Sequence, residues 1–145
     1  MKILFLAAFC FCIILSVSSK GYATYHMYSK DYSLIRCSCS DGRKGLITRW
    51  NINTLSILYP YVTAFNLAGW NSPHCGACIK LANKSTGRFI FVTAIDQCGG
   101  PPAGYDAHFD LSPDAFKELY ENTVPGVGDI DWTYTDHSFC KGNRG

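Results

Sequence analysis

The stretch CIKLANKSTGRFIFVTAID (Cys78–Asp96) indicates a β-hairpin, that is, two consecutive strands joined by a short turn. CIKLA and RFIFVTAI (Arg88–Ile95) are rich in apolar and β-branched residues and have the lengths of strands. Between them, NKSTG combines residues that favour turns. The hairpin predicts a mainly β fold. Its turn contains the glycosylation sequon Asn83-Lys84-Ser85, which suits an exposed loop.

Three further segments have strand-like composition between turn-forming residues. They are YATYHMY (Tyr22–Tyr28), GLITRW (Gly45–Trp50) and IDWTYT (Ile130–Thr135). Five or six short strands with little helix predict a small closed barrel.

One helix start is predicted in HFDLSPDAF (His108–Phe116). Ser112 is a good N-cap, Pro113 suits the first helical position, and Asp114 favours the positive end of the helix dipole. The helix is expected to end near Asn122, before Pro125 and Gly126. Asp110 precedes the cap and is free for another role.

The first residues of the chain have the pattern of a secretory signal peptide. Lys2 precedes an apolar run, Ile3–Leu15, and small residues follow as far as Ser19. This predicts a signal peptide over residues 1–19 and one domain over 20–145. The alternative, a membrane anchor, is disfavoured because the run is shorter than the roughly 20 residues of a spanning helix. Removing Lys2 lowers the formal net charge from +2 to +1, so we expect no nucleic-acid or membrane partner.

Six cysteines follow the predicted leader: Cys37, Cys39, Cys75, Cys78, Cys98 and Cys140. An even number in a secreted chain predicts disulfides. Two alternatives are a zinc site, built from the Cys-x-Cys and Cys-x-x-Cys pairs, and a redox motif at Cys75-Gly-Ala-Cys78. Both are more typical of reducing compartments.

Two carboxylates are candidates for acid–base chemistry. Glycoside hydrolysis normally uses such a pair. Asp96 closes an apolar strand and Asp110 precedes the helix, so both are expected to face one cleft. The structural alternative is that these carboxylates bind backbone N–H groups. We expect the same structural role, binding of backbone N–H groups, for Asp41 in the turn CSDG.

The remaining motifs are less specific. In GWNSPHCG (Gly69–Gly76), Trp70 suits stacking on a sugar ring and burial in the core equally well, and Asn71 follows it. The histidines, at positions 26, 74, 108 and 137, allow a nuclease-type acid–base pair, but their spacing does not support one. The sequence shows no phosphate loop, no nucleophile elbow and no metal-ligand cluster, so we predict no metal and no cofactor.

Several stretches together resemble one superfamily. CSDGRKGLITRW and AGWNSPHCGACIKL are similar to cerato-platanins, and Cys75–Gly100 is similar to barwin. GYATY and HFDLSPDAF resemble expansin motifs. Their ordered combination identifies the superfamily of expansins, barwin-like proteins and cerato-platanins. The single-domain length favours a cerato-platanin-like or loosenin-like protein.

The resemblance implies a six-stranded double-psi β-barrel, mainly β and disulfide-stabilised, with one or two short helices. It implies Cys39–Cys75 and Cys78–Cys140 bridges on the cerato-platanin pattern, with Cys37–Cys98 as a third, barwin-like bridge. The assignments of Cys37 and Cys39 are exchangeable at this stage.

The resemblance also implies a groove that binds polysaccharide, with Asp110 as its key carboxylate. The expected binding residues are Thr24, Tyr25, Asp41, Trp70, Asn71, Asp96, His108 and Asp110. Related glycosidases carry a catalytic base at the end of the first strand. In TYHMYSKDY no acidic residue follows Tyr25 until Asp31, so this chain is expected to lack that base.

We therefore expect a secreted, monomeric, non-hydrolytic binder of cell-wall polysaccharide or chitin oligomers that loosens walls. A weak endoglucanase or lytic transglycosylase with Asp110 as general acid is the alternative. A role as an elicitor or effector is a further possibility, and a nuclease is a minor one.

Overall fold

The computed structural model describes residues 19–123 and 125–145, so residues 1–18 of the predicted signal peptide lie outside the described part. Six strands form a closed barrel, and two short helices accompany it. The strands are β1 (Ser19–Tyr25), β2 (Val62–Phe65), β3 (Cys78–Ala82), β4 (Phe89–Asp96), β5 (Ala107–Leu111) and β6 (Val127–Thr135). The helices are α1 (Leu46–Trp50) and α2 (Pro113–Tyr120). The predicted six-stranded double-psi barrel with short helices is confirmed.

The strand order around the barrel is β1-β5-β2-β4-β3-β6. The pairs β1–β5 and β2–β4 are parallel, and the other neighbouring strands are antiparallel. In β5 buried residues alternate with partly exposed ones, so His108 and Asp110 face outward while Phe109 enters the core. Thr24 is the register partner of Asp110 and also faces outward.

Aromatic rings fill the centre of the barrel. Phe65 of β2 and Phe109 of β5 stack with centroids 4.9 Å apart. Trp132 of β6 meets both rings edge-on, at 5.6 Å from each. This packing holds β5 in place and thereby fixes the outward direction of His108 and Asp110.

The predicted β3–β4 hairpin is confirmed, but its turn differs from the expectation for the sequon. The Asn83 side chain is buried, with 6% relative exposure. Its Nδ2 donates to the Leu119 carbonyl at 3.2 Å, and its Oδ1 accepts from the Ser85 N–H at 3.0 Å. The loop itself is exposed from Lys84 to Arg88, as the sequon suggested, but the Asn83 side chain is buried because its amide ties the turn to α2.

The strand predicted for GLITRW was also wrong, since the segment forms α1. Leu46 and Trp50 are both buried, and their spacing of four places them on one helical face. A Cβ on Gly45 would lie 2.0 Å from the Asp41 carbonyl oxygen, so this entry to the helix requires glycine. Asn51 ends the helix in the left-handed conformation.

Helix α2 begins as predicted. The Ser112 Oγ accepts from the Ala115 N–H at 3.1 Å, and Pro113 occupies the first turn. The helix ends at Tyr120 rather than near Asn122, because Glu121 adopts a left-handed backbone with φ of 70°. Within the described residues, neither helix is both long and apolar enough to cross a bilayer.

Two predicted disulfides, Cys39–Cys75 and Cys78–Cys140, are confirmed. They assign Cys39 to its bridge and rule out the zinc and redox alternatives, which need these sulfurs free or differently paired. The third predicted bridge, Cys37–Cys98, was wrong because both residues are thiols. Cys37 is buried in the core, whereas the Cys98 Sγ donates to the His108 carbonyl at 3.2 Å.

Candidate functional site

The outer face of β1 and β5 brings together three of the predicted site residues. The Thr24 hydroxyl lies 2.8 Å from the His108 Nε2 and also donates to the Asp110 carboxylate. The His108 Nε2 and the Asp110 Oδ1 are 3.8 Å apart. Both side chains are mostly shielded, with 15% and 26% exposure. The cluster therefore presents polar atoms in a partly desolvated position.

His108 is oriented by groups outside this cluster. Its Nδ1 lies 3.0 Å from the Gly99 carbonyl, and its backbone N–H donates to the Asn66 Oδ1 at 2.9 Å. The ring packs against Tyr22, with centroids 5.3 Å apart. Because a carbonyl oxygen only accepts, Nδ1 carries the proton and Nε2 faces Thr24 and Asp110.

Asp96 does not join this cluster through a hydrogen bond. Its Oδ1 accepts from the backbone N–H groups of Ser38 and Gln97, each at 2.8 Å, and its Oδ2 accepts from the Tyr28 hydroxyl at 3.0 Å. Burial, together with the Asp96 charge, holds the pKa of Tyr28 well above its usual value. Three donors already engage the carboxylate, so Asp96 anchors the end of β4 to the Ser38 loop.

Tyr25 faces another part of the molecule. Its ring packs against Phe116 of α2, with centroids 5.4 Å apart. Because side chains alternate along a strand, Tyr25 points away from the direction taken by Thr24. The structure thus separates these two predicted binding residues.

The remaining predicted residues, Asp41, Trp70 and Asn71, form a second cluster on the loops joined by the Cys39–Cys75 bridge. Trp70 is 67% exposed, and its Nε1 donates to the Asp41 Oδ1 at 2.9 Å. The Asn71 Oδ1 accepts from the Lys44 N–H at 2.8 Å. The structure decides between the two interpretations of Trp70, because its ring lies at the surface and not in the core.

Asn66 and Gln97 connect the two clusters. The Asn66 Oδ1 accepts from the His108 N–H, and the backbone carbonyl of Asn66 accepts from the Gln97 Nε2 at 3.2 Å. The Gln97 side chain lies against Gly69, the residue before Trp70. If Gly69 carried a Cβ atom, that atom would be 3.1 Å from the Gln97 Oε1. Hydrogen bonds therefore link His108 to Asn66 and Asn66 to Gln97, and the Gln97 side chain lies against Gly69 of the Trp70 loop.

Sequence reasoning missed Cys98 as a site residue. One donor atom from each of Cys98, His108 and Asp110 lies within 4.8 Å of the others. Burial, with the negative charge of Asp110 nearby, raises the pKa of the Cys98 thiol to about 12. The sequence gives little sign of this cluster. The resemblance places Cys98 in a disulfide, and its separation of ten positions from His108 is not a typical spacing of site residues.

Comparison with known proteins agrees with this architecture. The family model of cerato-platanin matches residues 17–142. The chain belongs to the cerato-platanin family. Cerato-platanin from Ceratocystis fimbriata f. sp. platani is 30% identical over 116 residues, which cover 79% of this chain and 81% of that protein.

Two other comparisons extend the family relationship. The solution structure of the fungal elicitor Cerato-Platanin superposes with a TM-score of 0.70 at 30% identity, covering 84% of this chain and 98% of that one. The Allergen Asp f 15 homolog of Arthroderma benhamiae is 34% identical over 106 residues, 72% of this chain. The chain spans only 48% of the length of that relative. Family membership therefore fixes the fold more firmly than it fixes a ligand.

Proposed function

We propose that this member of the cerato-platanin family is a secreted protein that binds chitin-like or glucan chains of a cell wall without cleaving them. The observation that carries the proposal is the Thr24–His108–Asp110 cluster, with the exposed Trp70 on the loop against which Gln97 lies. The two confirmed disulfides suit an oxidising, extracellular compartment.

Trp70 supplies the apolar part of this site. Asp41 binds the indole N–H, which fixes the orientation of the ring while most of its surface stays exposed. A sugar ring presents an apolar C–H face and a rim of hydroxyls. The indole would stack on the C–H face, and Asp110 and Thr24 would exchange hydrogen bonds with the hydroxyls.

The carboxylates support binding rather than hydrolysis. An inverting mechanism needs a second carboxylate roughly 6.5–9.5 Å from the acid, free to activate water. Asp96 already accepts three hydrogen bonds, two of them from backbone N–H groups. The five residues after β1, HMYSK, contain no acidic side chain. A protein of this kind would loosen a wall by competing for hydrogen bonds between chains.

A pull-down panel with chitin, cellulose and xylan tests the proposal. We expect retention on at least one polymer, and a loss of affinity of roughly fivefold in Trp70→Ala because a stacked ring is worth about 1 kcal/mol. Phe139→Ala is the matched control, since Phe139 is 59% exposed and makes none of the contacts of this site. No retention on any polymer, or equal losses in both variants, would refute the proposed site.

The enzymatic alternative is separated by its products. New reducing ends or shortened chains that disappear in Asp110→Ala would favour an endoglucanase or lytic transglycosylase. Retention of the polymer without product release, measured in the same samples, would favour the binder.

An elicitor function is the second candidate, because a 30% identical structural neighbour is a fungal elicitor. The test compares the oxidative burst of plant leaf tissue exposed to folded protein and to protein with both disulfides reduced and alkylated. A response to the folded protein only would support recognition of the barrel surface. A response to neither sample would exclude an elicitor function in that plant.

A further inference from the structure

The Thr24–His108–Asp110 cluster places a ring nitrogen and a carboxylate oxygen side by side. The Gly99 carbonyl accepts from an N–H at the Nδ1 of His108, so Nε2 is the ring nitrogen that faces Thr24 and Asp110. The Asp110 Oδ1 lies 3.8 Å from this Nε2. The Thr24 hydroxyl contacts both groups. Two atoms of the kinds that bind metal ions therefore lie next to each other.

A soft donor lies beside these two acceptors. The Cys98 sulfur is within 4.8 Å of the donor atoms of His108 and Asp110. Sulfur, imidazole nitrogen and carboxylate oxygen together form a ligand set that suits zinc, with a fourth position left open. The bond from His108 to the Gly99 carbonyl matches the outer-shell bond that metal-binding histidines usually make.

We propose that Cys98, His108 and Asp110 form a binding site for Zn²⁺ or a similar borderline-soft divalent ion. His108 binds the ion through Nε2, Asp110 through Oδ1, and Cys98 through its sulfur. As the sulfur–metal bond forms, the thiol proton is released to the buffer. Thr24 turns its hydroxyl to the ion or to a water molecule in the open position.

The separation of the nitrogen and oxygen ligands is already close to the one that zinc needs. A tetrahedral zinc ion with N and O ligands at about 2.0–2.1 Å needs these atoms about 3.4 Å apart. The His108 Nε2 and Asp110 Oδ1 are now 3.8 Å apart. The low exposure of His108 and Asp110, 15% and 26%, limits competition from water for the ion.

Polysaccharide binding is not required for this site, although both functions use His108 and Asp110. Cys98 belongs to the metal site and not to the proposed sugar contacts. Cys98→Ser is therefore the variant that separates the two functions. Pull-downs in EDTA report polymer binding in the absence of metal, while titrations report metal binding in the absence of polymer.

The experiment titrates Co²⁺ into metal-free protein that keeps both disulfides, Cys39–Cys75 and Cys78–Cys140, and has Cys37 and Cys98 as thiols. Absorption follows the titration, and calorimetry then measures Zn²⁺ affinity. A thiolate–cobalt charge-transfer band and visible bands of tetrahedral cobalt are expected. Cys98→Ser should abolish the charge-transfer band and lower Zn²⁺ affinity at least about tenfold. Cys37→Ser is the matched control, because Cys37 is the other thiol among the described residues and lies outside the cluster.

Circular dichroism checks whether Cys98→Ser folds. If it does not fold, His108→Gln is the second test of the site, and this variant should also bind Zn²⁺ more weakly than the wild type. The site is refuted if wild-type protein with both disulfides intact and Cys98 as a thiol gives no charge-transfer band, or if the band persists in Cys98→Ser. A Cys37–Cys98 disulfide in the secreted protein, found by mass spectrometry, would refute it as well. Retention of wild type and Cys98→Ser to the same extent on a polymer in EDTA would show that Cys98 takes no part in polymer binding. Absence of retention would contradict the proposed function and leave the metal titration unaffected.

Discussion

The Thr24 hydroxyl donates to the Asp110 carboxylate across the parallel pair β1–β5, where the two residues are register partners. They are separated by 86 positions in the chain. Their contact depends on the tertiary fold, because β1 and β5 are adjacent in the barrel although β2, β3 and β4 lie between them in the chain. The site is consequently a property of the folded barrel and not of a local motif.

Thr24→Val should weaken polysaccharide binding and lower the free energy of unfolding by about 1 kcal/mol. The valine removes the hydroxyl that His108 and Asp110 share, at nearly constant volume. Thr24→Ser retains the hydroxyl and should behave like the wild type in both urea unfolding and polymer pull-down. Equal binding by all three proteins would show that the hydroxyl takes no part in recognition.

Removing the Cys78–Cys140 bridge by a double change to Ala should lower the free energy of unfolding by about 4 kcal/mol, because the bridge closes a loop of 62 positions. Guanidinium unfolding measures the loss. Cys37→Ala is the comparison, since it removes one buried sulfur without opening a bridge and should cost roughly 1 kcal/mol. A loss as small as that of the comparison variant would contradict the structural role of the bridge.

The Cys37 thiol should resist alkylation. Burial, with the Asp96 charge nearby, raises its pKa from the ordinary value to about 12. In a Cys98→Ser background at pH 8, its reaction with iodoacetamide should be roughly a thousandfold slower than in guanidinium, because only the thiolate reacts. Mass spectrometry follows the added group.

The same raised pKa predicts a pH dependence of stability. Below pH 9 the Cys37 thiol is protonated in both the folded and the unfolded chain. Between about pH 9 and 12 the unfolded chain loses the proton while the folded chain keeps it, so the free energy of unfolding falls as pH rises through this window. In Cys37→Ala the free energy of unfolding should fall less steeply with pH over this window. An unchanged slope would mean that other groups cause the alkaline loss.

Asn83 should carry no glycan when the protein is produced through the secretory pathway of a glycosylating host, despite its sequon. Its Nδ2 is buried and donates to Leu119, so an attached sugar would disrupt the contact between the hairpin turn and α2. The intact mass of protein from a glycosylating host checks this directly, with Asn83→Gln as the reference. Asn83→Gln should also cost about 1–3 kcal/mol of unfolding free energy, because its longer side chain cannot keep the buried hydrogen bond.

Local sequence signals predicted several elements well. The hairpin of β3 and β4 and the capped start of α2 depend on neighbouring residues, and the structure confirms both. GLITRW was predicted as a strand because β-branched residues and a flanking glycine dominate its composition. The burial of Leu46 and Trp50 on one helical face decided the outcome, and that face exists only against the rest of the core. The strands β2 and β5 were missed because each has at most five residues and depends on pairing with distant strands.

The sequence by itself determined the barrel class and pointed to Thr24, Asp110, Trp70 and two of the bridges. Composition and turn chemistry predicted a small closed barrel, whereas Thr24, the groove role of Asp110 and the two bridges came from the resemblance of the ordered motifs to known families. Only the tertiary structure decided that Asp96 anchors a loop, that Tyr25 packs on α2, and that Cys98 lies beside His108 and Asp110. The physical reason is that side-chain direction and partner choice follow from strand register and barrel closure. Both are set by packing between residues far apart in sequence.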